Sequence, residues 1–256
     1  MNDLIVISPV RNERYRWLPS YLEVWDELAD RILLADNGST DGSRAYFSKY
    51  DKVEDITPPF ASKKRMFGDE WKWRKYMFMK AVAESQEGDV LCWADIDMIP
   101  LEDPRPFFKP PHVEMWTSVL YDLWEEREDG TLMYRDDQWW QGHKTRRIWA
   151  VRNTQKLRDL DVEWLERGMH CQHLPVNVIR NSDEWNWMVG PTLLHYGWFG
   201  QANRERKFII YRDLAEQGHL SRAEWEHAQT VLDEEPNLKP LPKEPQWTMG
   251  EAEEVE

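Results

Sequence analysis

Short apolar runs alternate with longer stretches of helical spacing over the first hundred residues. The runs at 3–8, 31–35 and 89–94 are largely uninterrupted by polar residues, which is typical of strands buried on both faces. Apolar positions recur every three or four residues over 17–29 and 70–86, which predicts two helices. Because strands and helices alternate, we expect an α/β fold with a mostly parallel sheet, flanking helices and right-handed crossovers.

A further, weaker strand is predicted at 52–56. After a proline-rich break at 103–111 the pattern of apolar positions becomes less regular. Helical spacing returns over 201–233. From Glu234 the chain is rich in proline and then acidic, so we expect a poorly ordered tail. We therefore divide the chain into an α/β half at 1–111, an aromatic-rich half of the same domain at 112–200, and C-terminal helices with an acidic tail at 201–256.

Three polar loops follow the predicted strands, at 9–13, 36–43 and 95–97. In open α/β sheets, ligands bind outside the carboxyl ends of the strands. Because all three loops fall at such ends, we expect them to meet at one edge of the sheet and to form a binding site there.

Asp95 and Asp97 carry the clearest metal-binding signal. They stand two residues apart directly after the buried strand 89–94. Mg²⁺ and Mn²⁺ prefer such hard oxygen ligands and share them with substrate phosphates. A solvated loop is the alternative for this common spacing, and the position at a strand end favours the metal.

The other two loops fit a nucleotide but also fit ordinary turns. In 36–43, Asp36 and Asn37 can pair with the edge of a base, and Thr40 can cap a helix whose N-terminus favours anions. A strand-to-helix turn without a ligand is the alternative. For 9–13 the alternative is a loop held by an Arg–Glu pair.

Composition adds limits on compartment and partners. The chain has 256 residues, a net charge of −14 and two cysteines, Cys92 and Cys171. We expect no disulfide framework and therefore a reducing cytoplasm. No apolar run is long enough to span a membrane, and the N-terminus is typical of a buried strand, not of a signal peptide. The charge disfavours nucleic acid as a partner.

One stretch departs from the acidic average. Residues 61–80 contain seven Lys or Arg against two acids. Two interpretations stay open, a solvated helix face and a phosphate-binding edge.

The order of these motifs resembles the family-two glycosyltransferases of GT-A fold. The matching segments are SPVRNE after the first strand, DNGSTDGS after the second, and LCWADIDMIPLED around Asp95 and Asp97. The resemblance covers roughly residues 3–103. It implies a GT-A, Rossmann-like sheet and transfer of a sugar from a nucleoside-diphosphate sugar, by default a UDP-sugar.

The resemblance also implies roles for single residues. Asp97 would ligate Mn²⁺ or Mg²⁺, which stabilises charge on the departing diphosphate. Asp36 would contact the base, and Asp95 would lie near the ribose. The full set implied for the nucleotide-sugar pocket is Pro9, Arg11, Glu13, Asp36, Asn37 and Asp95, assisted by Lys72, Arg74 and Lys75 from the basic stretch.

A late histidine resembles another motif of this superfamily. His195, in LLHYGW, would complete the metal or diphosphate site, while a buried histidine bonded to the backbone is the alternative. His170 and His173 flank Cys171, but no second cysteine stands near them, which disfavours zinc.

An inverting transfer needs a carboxylate base for the acceptor hydroxyl. Candidates are Asp136 and Asp137, although either can pair with Arg135 or Arg146, and a retaining mechanism is the alternative. Sixteen tryptophans are present, and most are expected to be structural. Those expected to line the acceptor groove are Trp139, Trp140 and Trp198, with Trp185 and Trp187 beside Trp198.

Three rival functions and several acceptors stay open. The rivals are a non-catalytic sugar- or nucleotide-binding module, a nucleotidyltransferase, whose usual glycine-rich loop is absent, and a DNA glycosyltransferase of the small phage-encoded type that acts on hydroxymethylated pyrimidine. The acceptor can be a glycan, a protein or modified DNA. An acidic or neutral groove beside Trp139 and Trp140 would indicate a glycan or small acceptor, and a continuous basic groove would indicate nucleic acid.

Overall fold

The computed structural model describes residues 2–61, 69–166 and 173–249. Twelve strands lie within these segments: β1 (Leu4–Val10), β2 (Arg31–Asp36), β3 (Val53–Asp55), β4 (Val90–Trp93), β5 (Met98–Pro100), β6 (Met115–Ser118), β7 (Leu120–Glu126), β8 (Leu132–Arg135), β9 (Arg147–Arg152), β10 (Trp187–Val189), β11 (Leu193–His195) and β12 (Leu238–Pro240).

Seven α-helices are found in the same segments: α1 (Leu18–Leu28), α2 (Ser43–Phe47), α3 (Glu70–Glu84), α4 (Gln155–Arg158), α5 (Val176–Arg180), α6 (Gln201–Glu216) and α7 (Arg222–Gln229). Short 3₁₀ turns occur at Arg105–Phe108, Gly142–Lys144, Ser182–Glu184 and Thr230–Leu232. Among these residues no helix is long and apolar enough to cross a membrane.

The larger sheet has the order β10-β6-β9-β4-β1-β2-β3 across the described segments. The pairs β1/β2, β1/β4, β2/β3 and β10/β6 are parallel. Only β9 runs against its neighbours β4 and β6. The predicted α/β fold, with a mostly parallel sheet flanked by helices, is confirmed.

Both faces of this sheet are buried, which explains the uninterrupted apolar runs. Along β1, Leu4 and Val6 belong to the core cluster that includes α1. The alternate residues Ile5 and Ile7 belong to a second cluster that includes α3. Side chains of successive strand residues point to opposite faces, so a strand covered on both sides must be apolar at every position.

Pro9 lies inside β1 although proline cannot donate to a sheet. Ile7 accepts a hydrogen bond from the Ala94 N–H, so odd-numbered residues of β1 face β4. β4 ends at Trp93, so Pro9 has no partner on that side. The proline therefore costs no ladder hydrogen bond, and the strand continues two residues beyond the predicted run 3–8.

A smaller sheet has the order β12-β8-β7-β11-β5 in the described residues. It contains strands from four separate segments of the chain, including β12 from the segment expected to be poorly ordered. Leu241 and Gln246 donate backbone hydrogen bonds to Leu132 and Leu101, and Met249 is buried. The expectation of a disordered tail from Glu234 is therefore wrong for residues 238–249, because apolar side chains in this proline-rich stretch pack on the domain.

The predicted helix after the second strand begins later than expected. Thr40 does not cap it, because α2 begins at Ser43 after Gly42, whose φ is 86°. The division into parts at 1–111, 112–200 and 201–256 stays a prediction. His170, Cys171 and residues 62–68 of the basic stretch lie outside the described residues.

Candidate active site

Strand register brings distant residues together beside Asp97. His195 pairs with Met98 of β5 in one direction and with Asp122 of β7 in the other. Asp97 immediately precedes β5, and its carbonyl accepts a hydrogen bond from the Tyr196 N–H. The predicted metal ligands Asp97 and His195 are thus neighbours at the carboxyl edge of the sheet.

Asp97, His195 and Asp122 form a linear array of acid, imidazole and acid. His195 Nε2 lies 3.5 Å from Asp97 Oδ2, and its Nδ1 lies 2.7 Å from Asp122 Oδ1. Lys207 Nζ approaches Asp97 Oδ2 from α6 at 3.4 Å. We name these four residues the Asp97 cluster.

The charges in the Asp97 cluster shift one another strongly. Burial raises the pKa of Asp97, but His195 and Lys207 outweigh burial and hold that pKa below its ordinary value. Burial lowers the pKa of His195, but Asp97 and Asp122 outweigh burial and raise it to about 9. Without a metal, the imidazole is therefore a cation between two carboxylates at neutral pH.

Gly197 leaves space in front of the Asp97 cluster. A Cβ atom at this position would lie 2.7 Å from Asp97 Oδ2 and 2.6 Å from Lys207 Nζ, and closer still to His195 Nε2. Any larger residue would fill the volume into which these three groups point. The glycine thus forms a small cradle enclosed by an acid, an imidazole and an ammonium group.

The donor set fits one hard divalent cation with two protein ligands. A separation of 3.5 Å between Nε2 and Oδ2 allows both atoms to lie about 2.1 Å from one ion. The Asp122 carboxylate accepts the Nδ1–H, so loss of the second ring proton, from Nε2, leaves the lone pair on that atom for a metal. In the described segments no group of three or more His, Cys, Asp or Glu could hold a metal. Mg²⁺ and Mn²⁺ can complete such a ligand set with substrate phosphates and water.

Asp95 is held by a different set of cations. Arg74 of α3 donates to both carboxylate oxygens, at 2.7 and 3.1 Å, and His173 Nε2 lies 3.5 Å away. Burial raises the pKa of Asp95, but Arg74 and His173 outweigh it and hold it well below the usual range. Arg74 also pairs with Glu70, so this buried guanidinium fixes Asp95 in place.

Glu13 and Arg16 connect the first loop to the Asp97 cluster. Arg16 donates to both Glu13 oxygens, at 2.7 and 2.8 Å, and to Asn203 Oδ1 at 2.6 Å. Asn203 in turn donates to the Gly197 carbonyl. Burial raises the pKa of Glu13 to about 7 against the opposing effect of Arg16. Loop 9–13 is thereby anchored to the backbone that forms the cradle.

The loops 9–13 and 36–43 are joined as expected, largely by small polar side chains. Asn12 Oδ1 accepts the Thr40 N–H at 2.8 Å, and Ser43 Oγ accepts the Glu13 N–H at 2.9 Å. Asp41 Oδ1 accepts the Ser43 hydroxyl. Much of the DNGSTDGS motif therefore holds the turn itself.

Asp36 and Asn37 are both buried at the end of β2. The Asp36 carboxylate accepts the Ser39 N–H, and Arg11 donates to the Asn37 carbonyl. The Asn37 Oδ1 atom is buried and has no hydrogen-bond partner among the residues that the structure describes. A buried amide oxygen without a partner is costly, so a ligand donor is a natural complement. Nucleotide contacts by Pro9, Arg11, Asp36 and Asn37 stay predictions.

Three residues of α3 were predicted to assist the nucleotide-sugar pocket, and they differ in placement. Arg74 is buried at Asp95, as described above. Lys72 is about half exposed and pairs with Asp69 at 2.6 Å. Lys75 is partly buried. In the described part of 61–80, the cation that lies at the site is therefore Arg74, which already pairs with Asp95 and Glu70.

The predicted catalytic bases lie on the smaller sheet, beyond β8. Asp136 accepts hydrogen bonds from Lys144 and Lys239, and His143 Nε2 lies 3.2 Å from it. The hydrogen bonds from the two lysines lower the Asp136 pKa to about 2, which disfavours a general base. Asp137 pairs with Arg135, the alternative foreseen from sequence. A catalytic role for either stays a prediction.

The tryptophans expected in the acceptor groove are mostly core residues. Trp140 and Trp198 are buried with Trp124 in a cluster of their own, and Trp185 is buried elsewhere. The rings of Trp140 and Trp198 pack against each other, and burial disfavours stacking on an acceptor by either ring or by Trp185. Their predicted place in an acceptor groove stays a prediction. Trp139 and Trp187 are exposed, and Trp139 stacks on His227.

Several site residues carry no sequence signal strong enough to reveal them. Asp122 and Lys207 join the Asp97 cluster from a strand and a helix far away in sequence. His173 was considered only for zinc, although it lies beside Asp95. Spacing along the chain cannot reveal such residues, because register between non-adjacent strands places them.

Comparison with known proteins gives a distant likeness of fold. No family model and no curated protein matches the sequence. The 4-diphosphocytidyl-2C-methyl-D-erythritol synthase from Anaerococcus prevotii DSM 20548 is 9% identical, with a TM-score of 0.36, over 90% of this chain and 96% of its own. Galactosyltransferase LgtC, in complex with donor and acceptor sugar analogs, is 11% identical, with a TM-score of 0.34, over 61% of this chain and 60% of its own. Likeness at this level carries no argument about activity.

Proposed function

We propose that the chain is a metal-dependent glycosyltransferase of the GT-A type, which moves a sugar from a nucleoside-diphosphate sugar, by default a UDP-sugar, to a hydroxyl acceptor. The observation that carries the proposal is the Asp97 cluster at the carboxyl edge of the sheet. A carboxylate and an imidazole face one small cradle there, with an ammonium group beside them. This is a suitable arrangement for a diphosphate and a divalent cation together.

Each residue of the cluster has a distinct task in the proposal. Asp97 and His195 would hold Mn²⁺ or Mg²⁺, a Lewis acid that stabilises negative charge on the departing diphosphate. Lys207 adds a positive charge next to that diphosphate, and Asp122 keeps the ring of His195 oriented. Asp95, fixed by Arg74, would present its carboxylate to the ribose of the nucleotide.

An inverting outcome requires one further carboxylate near the acceptor hydroxyl. Of the two aspartates predicted from sequence, Asp137 has the more accessible side chain, 25% exposed against 4% for Asp136. Asp137 is therefore the more accessible candidate for a base that would take the proton of the acceptor hydroxyl, as its oxygen bonds to the anomeric carbon and the bond from that carbon to the diphosphate breaks.

Release of nucleoside diphosphate from a panel of nucleotide sugars tests the proposal. The protein is assayed with Mn²⁺ and with a chelator, as wild type, Asp97→Ala and the control Asp213→Ala. Asp213 lies on the exposed surface of α6 and pairs with Arg212. Metal-dependent release from one donor, lost in Asp97→Ala and kept in Asp213→Ala, is the expected result.

Other outcomes separate the rival functions. Donor binding without release, even when hydroxyl acceptors are added, would indicate a binding module. Pyrophosphate release from a nucleoside triphosphate and a sugar phosphate would indicate a nucleotidyltransferase. Absence of binding by any nucleotide sugar would overturn the proposed donor site.

A further inference from the structure

A cavity of about 630 Å³ lies at the same edge of the sheet as Asp95, on the side away from β1. It is lined by Met115 and Thr117 of β6, Ile148 of β9 and Trp187 of β10. Its size falls within the range typical of small-molecule sites.

Strand register places this cavity directly beside the proposed donor site. Cys92 of β4 pairs with Ala150 of β9, and the two strands are antiparallel. β9 begins at Arg147, so this residue lies at the edge of the sheet where β4 ends and Asp95 follows. His173 lines the cavity, and its Nε2 lies 3.5 Å from Asp95 Oδ2. The side chain of His173 therefore lines the cavity and also lies beside the Asp95 carboxylate.

The cavity combines positive charge with an apolar wall. Arg146 and Arg147 both line it, both are exposed, and neither has an ion pair or hydrogen bond from its side chain within residues 2–61, 69–166 and 173–249. Asp183 also lines the cavity, and its carboxylate carries the opposite charge. Trp187 is 53% exposed, which leaves most of an indole face open to a ligand. In a chain of net charge −14, two exposed guanidinium groups in one cavity are a marked local contrast.

We propose that this cavity binds the acceptor, and that the acceptor is a small molecule with an anionic group next to an apolar or planar part. The inference rests on the proposed transferase function. Arg146 and Arg147 bind the anion, for which guanidinium groups offer paired donors. Trp187 packs on the planar part, and the acceptor hydroxyl then points past His173 toward Asp95 and the donor sugar.

Phenyl phosphate is the probe for this site, because it joins an anion to a ring. Its binding is measured by calorimetry with chelator present, against phenol and inorganic phosphate. The variants are Arg146→Gln with Arg147→Gln together, and Trp187→Ala. Arg222→Gln is the control, since Arg222 is exposed on α7 and lies far from Arg146 and Arg147 in the sequence.

The expected result is that phenyl phosphate binds more tightly than either phenol or inorganic phosphate. Its Kd rises about tenfold or more in the double arginine variant, because charge-assisted hydrogen bonds are lost. Trp187→Ala raises the Kd of phenyl phosphate but leaves inorganic phosphate unchanged, and Arg222→Gln changes neither. Benzoate, used as a second probe, shows whether a carboxylate serves as well as a phosphate.

Three results would overturn the inference. The first is no binding of phenyl phosphate at millimolar concentration. The second is a Kd for phenyl phosphate that the double arginine variant does not change. The third is tighter, arginine-dependent binding of a short oligonucleotide, which would make the acceptor a nucleic acid. Because these probes need no donor, failure here with intact donor release leaves the transferase proposal in place. Binding here without any donor binding refutes the transferase proposal and with it the role of acceptor site, and leaves only an anion-binding cavity.

Discussion

The Nδ1 atom of His195 lies 2.7 Å from Asp122 Oδ1, and this hydrogen bond decides which ring nitrogen faces Asp97. With the Nδ1 proton donated to Asp122, a neutral imidazole presents its Nε2 lone pair to the cradle above Gly197. Register in the smaller sheet fixes this relationship, because His195 and Asp122 are partners in adjacent parallel strands.

Asp122→Asn should weaken Mn²⁺ binding by roughly 10- to 100-fold, the usual cost of losing such a partner. The amide NH₂ can donate to Nδ1, which moves the ring proton to Nε2 and blocks the metal. Calorimetric titration of Mn²⁺ measures the effect, and Asp129→Asn, in an exposed turn, is the matched control. Equal affinities in wild type and Asp122→Asn would show that the orientation of His195 does not depend on this bond.

Metal binding should depend on pH through His195. Its pKa is raised to about 9, so at pH 7 a proton must leave the imidazole before a metal can bind. Apparent Mn²⁺ affinity should therefore rise about tenfold per pH unit from 7 to 9 and level off above 9. Calorimetry in buffers of different ionisation enthalpy should show about one proton released per Mn²⁺ near pH 7.

The raised pKa of His195 also predicts how the stability of the metal-free fold depends on pH. The folded-state pKa of His195 lies above the unfolded value of about 6.5, so the charged imidazole stabilises the fold most below that pH. This contribution is lost as pH rises from about 6.5 through 9. Urea unfolding of wild type and His195→Gln should show a stability difference that shrinks across this window, and a constant difference would contradict the assigned charge state.

Gly197→Ala should abolish the metal site while leaving the fold intact. Gly197 does not have a positive φ, so the backbone tolerates alanine, but the added Cβ occupies the cradle between Asp97, His195 and Lys207. We expect Mn²⁺ affinity to fall at least tenfold and donor release to be lost, with circular dichroism unchanged.

Gly218→Ala is a useful comparison for that substitution. Gly218 has a φ of 74° with no atom near its would-be Cβ, so alanine there strains only the backbone, at a cost of about 1 kcal/mol. It should lower stability without changing Mn²⁺ affinity. A Gly197→Ala protein that still bound Mn²⁺ normally would mean that the metal lies elsewhere.

The sequence was sufficient for the features that depend on neighbouring residues. The apolar run of β1 and the helical spacing of α1 predicted those elements, and the loops after β1, β2 and β4 were correctly placed at one edge. It could not reveal Asp122 or Lys207 as neighbours of Asp97, because strand register and the packing of α6 bring them there. Aromatic content was also ambiguous, since a tryptophan that stacks on a sugar and one that fills a core look alike in sequence.

Trp140 and Trp139 should behave in opposite ways when replaced by alanine. Trp140 is 1% exposed, contacts Trp124 and Trp198 edge to face, and carries Arg135 at 5.1 Å from its ring. Removing this side chain should cost about 3–5 kcal/mol of unfolding free energy. Trp139 is 38% exposed, so its replacement should change stability by less than about 1 kcal/mol.

Urea unfolding of both variants, with acceptor kinetics on each, separates a core role from an acceptor role. We expect Trp139→Ala to raise the KM for the acceptor at most slightly, because the cavity beside His173, not the surface at Trp139, is the proposed acceptor site. A large rise in acceptor KM for Trp139→Ala, with stability unchanged, would instead place the acceptor beside His227, on which Trp139 stacks at a ring-centroid distance of 5.8 Å.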